Sequence, residues 1–173
     1  MEQWEDQGIV LALRPHGENA AIVSVLTETQ GRTCGYVHGA RGAKLRGALQ
    51  QGNLVNVQWS ARTSENLGAF KVEEIRSSGA LLASDPMKLS ALLSACALCD
   101  AALPEREAHP GLFEGLKALL NLMNESDIWP AAYNFTGKSR CCVSWGSVSI
   151  LRAARAAGRL TMSSMSAPKA AAR

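Results

Sequence analysis

Five short apolar runs, parted by glycine and polar turns, fill the first 80 residues and limit what this chain can fold into. Residues 8–13 form a β-branched run that ends at Arg14-Pro15-His16-Gly17, and residues 19–27 form a second. Residues 31–38 make a third, joined to the second through Glu28-Thr29-Gln30-Gly31. A polar, glycine-punctuated stretch covers 39–52, after which Leu54, Val57 and Trp59 mark a fourth run. The fifth, 68–75, carries Phe70, Val72 and Ile75. Runs of this length between turn residues read as strands.

Five short strands leave exposed edges unless the sheet closes on itself, so a small barrel of the OB-fold type is expected over residues 1–80. Past residue 80 the apolar spacing becomes helical. Ser84-Asp85-Pro86 offers an N-cap and then a proline that the first turn tolerates. Leu89, Leu92, Leu93, Cys96 and Cys99 then recur at helical spacing, and Pro104 ends that helix. His109-Pro110-Gly111 opens another, with a stripe of Leu112, Leu116, Leu119, Leu120 and Met123, and Asp127 caps a turn holding Trp129 and Pro130. The expected class is α+β: a five-stranded OB-fold barrel at 1–80, then a truncated helical domain at 81–135.

Charge divides the chain in the same places. Residues 1–79 hold eight basic and eight acidic groups, 80–130 hold three and seven, and 131–173 hold seven basic groups and no acid. No apolar run approaches the roughly 20 residues that span a bilayer. The opening Met1-Glu2-Gln3-Trp4-Glu5-Asp6 is acidic where a signal peptide is basic, so a cytoplasmic address is expected. Five cysteines, an odd number, give no disulfide framework.

Catalytic motifs fail on inspection. Gly137-Lys138-Ser139 lacks the upstream glycine of a phosphate-binding loop, since Ala132 stands at that position. Cys96 and Cys99 have the spacing of half a zinc site but fall on a helical apolar stripe, and Cys141-Cys142 is a poor second half. His16, His38 and His109 are scattered with no triad spacing, and Glu73-Glu74 reads as a solvated strand end. Asn134-Phe135-Thr136 matches a glycosylation acceptor, which has no meaning at the cytoplasmic address expected. Neither catalytic residues, nor a cofactor, nor a metal site is expected.

One pattern survives. Residues 29–64 contain Arg32, Arg41, Lys44, Arg46 and Arg62 without an acidic residue, and Trp59 lies among them. Nucleic-acid-binding barrels combine a cationic groove with aromatic platforms. Aromatic residues make up only 5% of the chain, so phosphate contacts should outweigh base stacking.

An ordered series of motifs then resembles the RecO family. It begins with residues 5–11 and Gly17-Glu18-Asn19-Ala20-Ala21-Ile22-Val23, and continues with Thr27-Glu28, Gly31-Arg32 and residues 35–41. Leu49-Gln50-Gln51-Gly52-Asn53, Trp59-Ser60-Ala61-Arg62 and Glu65-Asn66-Leu67-Gly68 extend it. Residues 103–107, His109-Pro110-Gly111-Leu112-Phe113 and Trp129-Pro130 resemble the helical domain of alphaproteobacterial members. The resemblance covers about residues 1–133. It implies a non-enzymatic recombination mediator in DNA repair that binds single- and double-stranded DNA and anneals strands. It also implies partnership with RecR and the single-stranded-DNA-binding protein, through which RecA is loaded, and a nucleoid-associated place. The implied DNA contacts map to Arg32, Arg41, Lys44 and Arg46, with Arg14 and Arg62 beside them. The four-cysteine zinc site of some members has no counterpart in this sequence.

After Tyr133 the pattern stops. Permissible codons for residues 136–151, read from the third base, encode Trp-Glu-Ile-Ala-Leu-Leu-Cys-Gln-Leu-Gly-Phe-Gly-Leu-Asp-Leu, which resembles the family's next helix and glycine turn. The tail at 136–173 therefore reads as out of frame and is expected to be mostly disordered. The alternative is a divergent basic tail that binds DNA. Loss of the in-frame helices should uncover part of Leu112, Leu116, Leu119 and Leu120 and destabilise the helical domain. Two other functions stay open: a non-functional truncated product, and an OB-fold protein that prefers RNA.

Overall fold

The computed structural model describes residues 2–125 apart from 64, 65 and 83. The tail from 136 onward, the turn at 127–130 and Cys141-Cys142 lie outside the described residues. Strands β1 (Glu2–His16), β2 (Ala20–Thr27) and β3 (Gly31–His38) form an antiparallel meander. A short helix α1 (Ala43–Ala48) leads to β4 (Leu54–Ala61) and β5 (Ala69–Arg76). The sheet closes in the order β1-β2-β3-β5-β4. The β3–β5 seam is thin, with Tyr36 opposite Ala69 and Tyr36 N donating to the Gly68 carbonyl at 2.9 Å. This is the OB-type arrangement expected, with a helix between the third and fourth strands where the sequence suggests only a polar loop.

Strand β1 is far longer than its apolar run because it serves two neighbours. Its first half pairs with β4, its second half with β2, and the register slips between Val10 and Ala12. That bulge reverses which side chains face inward. Val10 points into the barrel with Val23, Val25, Val37, Val55, Val57, Trp59 and Phe70. Ile9 and Leu11 point outward into a second core.

The second core is made by the helices. Asp85 caps α3 (Pro86–Ala102), its carboxylate accepting from Met87 N at 2.9 Å and Lys88 N at 3.2 Å, as the sequence indicates. Helix α2 (Ser78–Leu82) precedes it and α4 (Pro110–Glu125) comes after. Leu92, Cys96, Cys99, Phe113, Leu116, Leu119, Leu120 and Met123 pack on Ile9, Leu11 and Leu26. The uncovering expected of Leu112, Leu116, Leu119 and Leu120 is not found, since all four are buried. The reason is that this core includes strand residues and α3, which lie within the part of the sequence that carries the family motifs. Phe113 is fully buried among them, although the leucine stripe does not single it out.

Candidate nucleic-acid interface

Helix α1 crosses one end of the barrel and sorts its residues sharply. Leu45 partly and Leu49 fully pack on the barrel core and Ala48 is buried, while Lys44 and Arg46 on the helix and Arg41 just before it are exposed. No ion pair engages these three cations among the described residues, so their charge faces solvent uncompensated.

A helix this short cannot hold itself together, so something must fix it. Asn53, fully buried, does so. Its amide donates to the Gly47 carbonyl at 2.9 Å and the Ala48 carbonyl at 3.3 Å, occupying acceptors that a helix end leaves open. Its carbonyl oxygen accepts from Gly79 N at 2.8 Å, and its backbone oxygen accepts from Val10 N at 3.1 Å. One residue thus ties α1 to α2 through its side chain and to the bulge of β1 through its backbone. The motif 49–53 contains this residue, but only its burial shows what it does.

Arg32 behaves differently from Arg41, Lys44 and Arg46. It stands on the outer face of β3 with its side chain 14% exposed. Nε donates to the Leu103 carbonyl at 2.8 Å, Nη1 lies 3.6 Å from Asp100 Oδ1 and Nη2 lies 3.3 Å from Glu105 Oε1. Gly31, with φ of +70°, lets the backbone at Glu107 approach so closely that a Cβ would collide with it. The other oxygen of Asp100 accepts from Arg14 Nη2 at 2.9 Å, although Arg14 stays 68% exposed. Arg14 and Arg32 therefore share one carboxylate at the seam of barrel and helices.

Arg62 is brought to neither group. It comes after Ala61, the partner of Glu2, at the end of β1 opposite Arg14. Trp59 is buried against Trp4, ring centroids 5.7 Å apart, and donates its Nε1 proton to the Leu67 carbonyl at 3.0 Å. It serves the core and offers no base a surface.

The cysteines are internal. Cys96 and Cys99 are buried on α3, and burial pushes the Cys96 thiol up to about 12, with the Asp100 carboxylate adding to the shift. Cys34 is half-buried, its thiol raised first by burial and then by the nearby Glu105 charge. These environments disfavour the thiolate that a metal would need.

A closed five-stranded barrel with exposed cations on and before a short helix, backed by a helical unit, is an arrangement that nucleic-acid-binding proteins use. The sequence carries that further. Its residues 1–78 match the family model "Recombination protein O N terminal", and 83–139 match "Recombination protein O C terminal". The chain belongs to the recombination protein O family. It is 47% identical over 131 residues to a DNA repair protein RecO of Rhodospirillum centenum, covering 76% of this chain and 52% of that protein. Those of a Ruegeria species and of Caulobacter vibrioides NA1000 are each 41% identical, over 75% and 76% of this chain and 54% of either relative. The chain spans about half the length of these relatives. The second model's match runs to residue 139, past Tyr133, where the motif series stops in the sequence.

Proposed function

We propose that the chain acts in DNA repair and recombination as a non-enzymatic nucleic-acid-binding mediator, and that the cations on and just before α1 hold the phosphate backbone. The observation that carries this reading is the unpaired trio Arg41, Lys44 and Arg46, fixed on the barrel by Asn53 and facing water. Neutralising phosphates releases condensed counterions, so affinity supplied by such residues falls steeply with salt. Arg14 adds a partly exposed charge beside them, whereas Arg32 serves the barrel–helix seam and Arg62 stands apart.

In this reading the helical unit gives the barrel a second surface on which partners can assemble. The relatives' names place them in DNA repair, and the family resemblance supplies RecR, the single-stranded-DNA-binding protein and, through them, RecA. The setting is the bacterial cytoplasm, at the nucleoid. No described helix is long and apolar enough to cross a membrane.

The test is a salt titration of DNA binding by the full chain and by an Arg41→Ala/Lys44→Ala/Arg46→Ala variant. Three lost phosphate contacts should lower the log–log slope by about 2 to 3 on duplex DNA. An unchanged slope assigns the phosphate contacts elsewhere, and tighter binding to RNA than to DNA of equal length would favour a different biology.

A further inference from the structure

Beyond Ala12 the bulge in β1 has a consequence for the outer face of the sheet. Before the bulge the odd-numbered residues of β1 face outward, and after it the even-numbered ones do. Arg14 and His16 are thereby placed outside, level with Ile22 and Ala20 of β2 and, across them, Tyr36 and His38 of β3. Bulges recur where a strand must re-aim a side chain beside a functional site.

The three rings meet. The His16 and Tyr36 centroids are 5.5 Å apart at 80°, and those of Tyr36 and His38 are 4.6 Å apart at 71°. Both histidines are exposed and Tyr36 is half-buried. Elsewhere the barrel keeps its rings inside: Trp59 and Phe70 are buried in its core. Among the described residues, α3 meets this face at Arg14, through Asp100. Arg41 lies three residues beyond His38, within about 11 Å by chain reach, so the rings adjoin the cationic helix. Glu18, exposed in the β1–β2 turn, is the acidic residue nearest along the chain.

We propose that His16, Tyr36 and His38 form a stacking platform for unpaired bases, flanked by Arg14 and Arg41, which makes the barrel selective for single-stranded nucleic acid. The proposal rests on the reading of α1 as a phosphate-binding helix and extends it from backbone to base. Rings already fixed against one another, two of them exposed, lose little entropy when a base stacks on them, and every base has a π-face to lay there. Bases inside a duplex are already stacked and cannot reach the platform. Phosphate binding by α1 makes no such distinction.

The experiment compares a fluorescent oligothymidine strand with a duplex of equal length, binding to the full chain at one salt concentration. The Tyr36→Leu/His38→Ser variant should lose roughly ten- to a hundredfold on the single strand and less than about twofold on the duplex. Tyr36→Phe, which keeps the ring, should bind both like the parent. Retained duplex binding shows that the variant is folded. Equal losses on both probes, or no loss on the single strand, overturn the platform and leave the cationic helix standing. If the parent chain binds neither probe, the phosphate-binding reading falls and takes the platform with it.

Discussion

Two halves of one sheet face, built from the same three strands, have opposite surroundings in this molecule. Toward the β2–β3 turn, Leu26, Cys34 and Arg32 lie under or against the helical unit, and Arg32 spends its donors on Asp100, Glu105 and the Leu103 carbonyl. Toward the β1–β2 turn, Arg14 holds Asp100 of α3 at the rim, and beyond it His16, Tyr36 and His38 contact one another and lead to the open cations at and before α1. Residue type does not separate the two halves, since each carries arginine. Coverage does. A cation under a helix becomes part of the fold's internal bonding, and the same cation beyond the helix is available to a ligand.

The covered half should give the largest effects. Phe113→Ala should cost about 3–5 kcal/mol in chemical denaturation, because the ring is fully buried where α4 meets the strands. A loss below about 1 kcal/mol would mean that the covered half is not a packed core. Asp100→Ala comes next, at about 2–4 kcal/mol, since it leaves Arg32 mostly buried with a weaker partner set. Glu105→Ala, on a carboxylate 56% exposed, should cost no more than about 1 kcal/mol. Equal effects of the two would contradict the seam geometry.

Thiol chemistry separates the halves by a smaller effect. The Cys96 thiol is held at about 12 against an ordinary 9.0, so its contribution to stability is complete below pH 9.0. It declines as pH rises from there, because the unfolded chain then loses a proton that the folded chain keeps. Peptide mapping after alkylation at pH 8 should find Cys96 labelled only when the protein unfolds. Labelling of Cys96 in the native state would place it outside the covered half. The smallest effect belongs to Arg62→Ala, which should change neither melting temperature nor DNA affinity appreciably, the affinity by no more than about twofold, as befits a surface position away from both halves.

How legible these features are in the sequence depends on whether they are local. The third strand is readable at its observed bounds, 31–38, because glycine and alternation mark both ends. The Asp85 cap and the α4 stripe are equally plain. The first strand looks too short in the sequence, since its polar half is held by pairing with β4, which no local pattern shows. Helix α1 leaves no readable signal because it is six residues long and fixed by Asn53 from outside. The cationic stretch is visible as a run, but nothing in the run tells Arg32 from Arg46: the acids that claim Arg32 lie some 70 residues away at Asp100 and Glu105. His16 and His38 look scattered for the same reason. Their meeting through Tyr36 depends on a one-residue register slip, and an aromatic fraction that omits histidine understates the rings on that face.

The proposal that Arg46 serves a ligand while Arg32 serves the fold is what most needs testing. Paired measurement of Arg32→Gln and Arg46→Gln, each by thermal melting and by salt-titrated binding to duplex DNA, tests it directly. Arg46→Gln should leave the melting temperature within about a degree and lower the binding slope by close to one phosphate's worth, about 0.9. Arg32→Gln should lower the melting temperature by several degrees, roughly the shift of a 1–2 kcal/mol loss, and leave the slope unchanged. The reverse pattern, a lower slope for Arg32→Gln with an unaltered melt, would contradict the division between the two halves of the face.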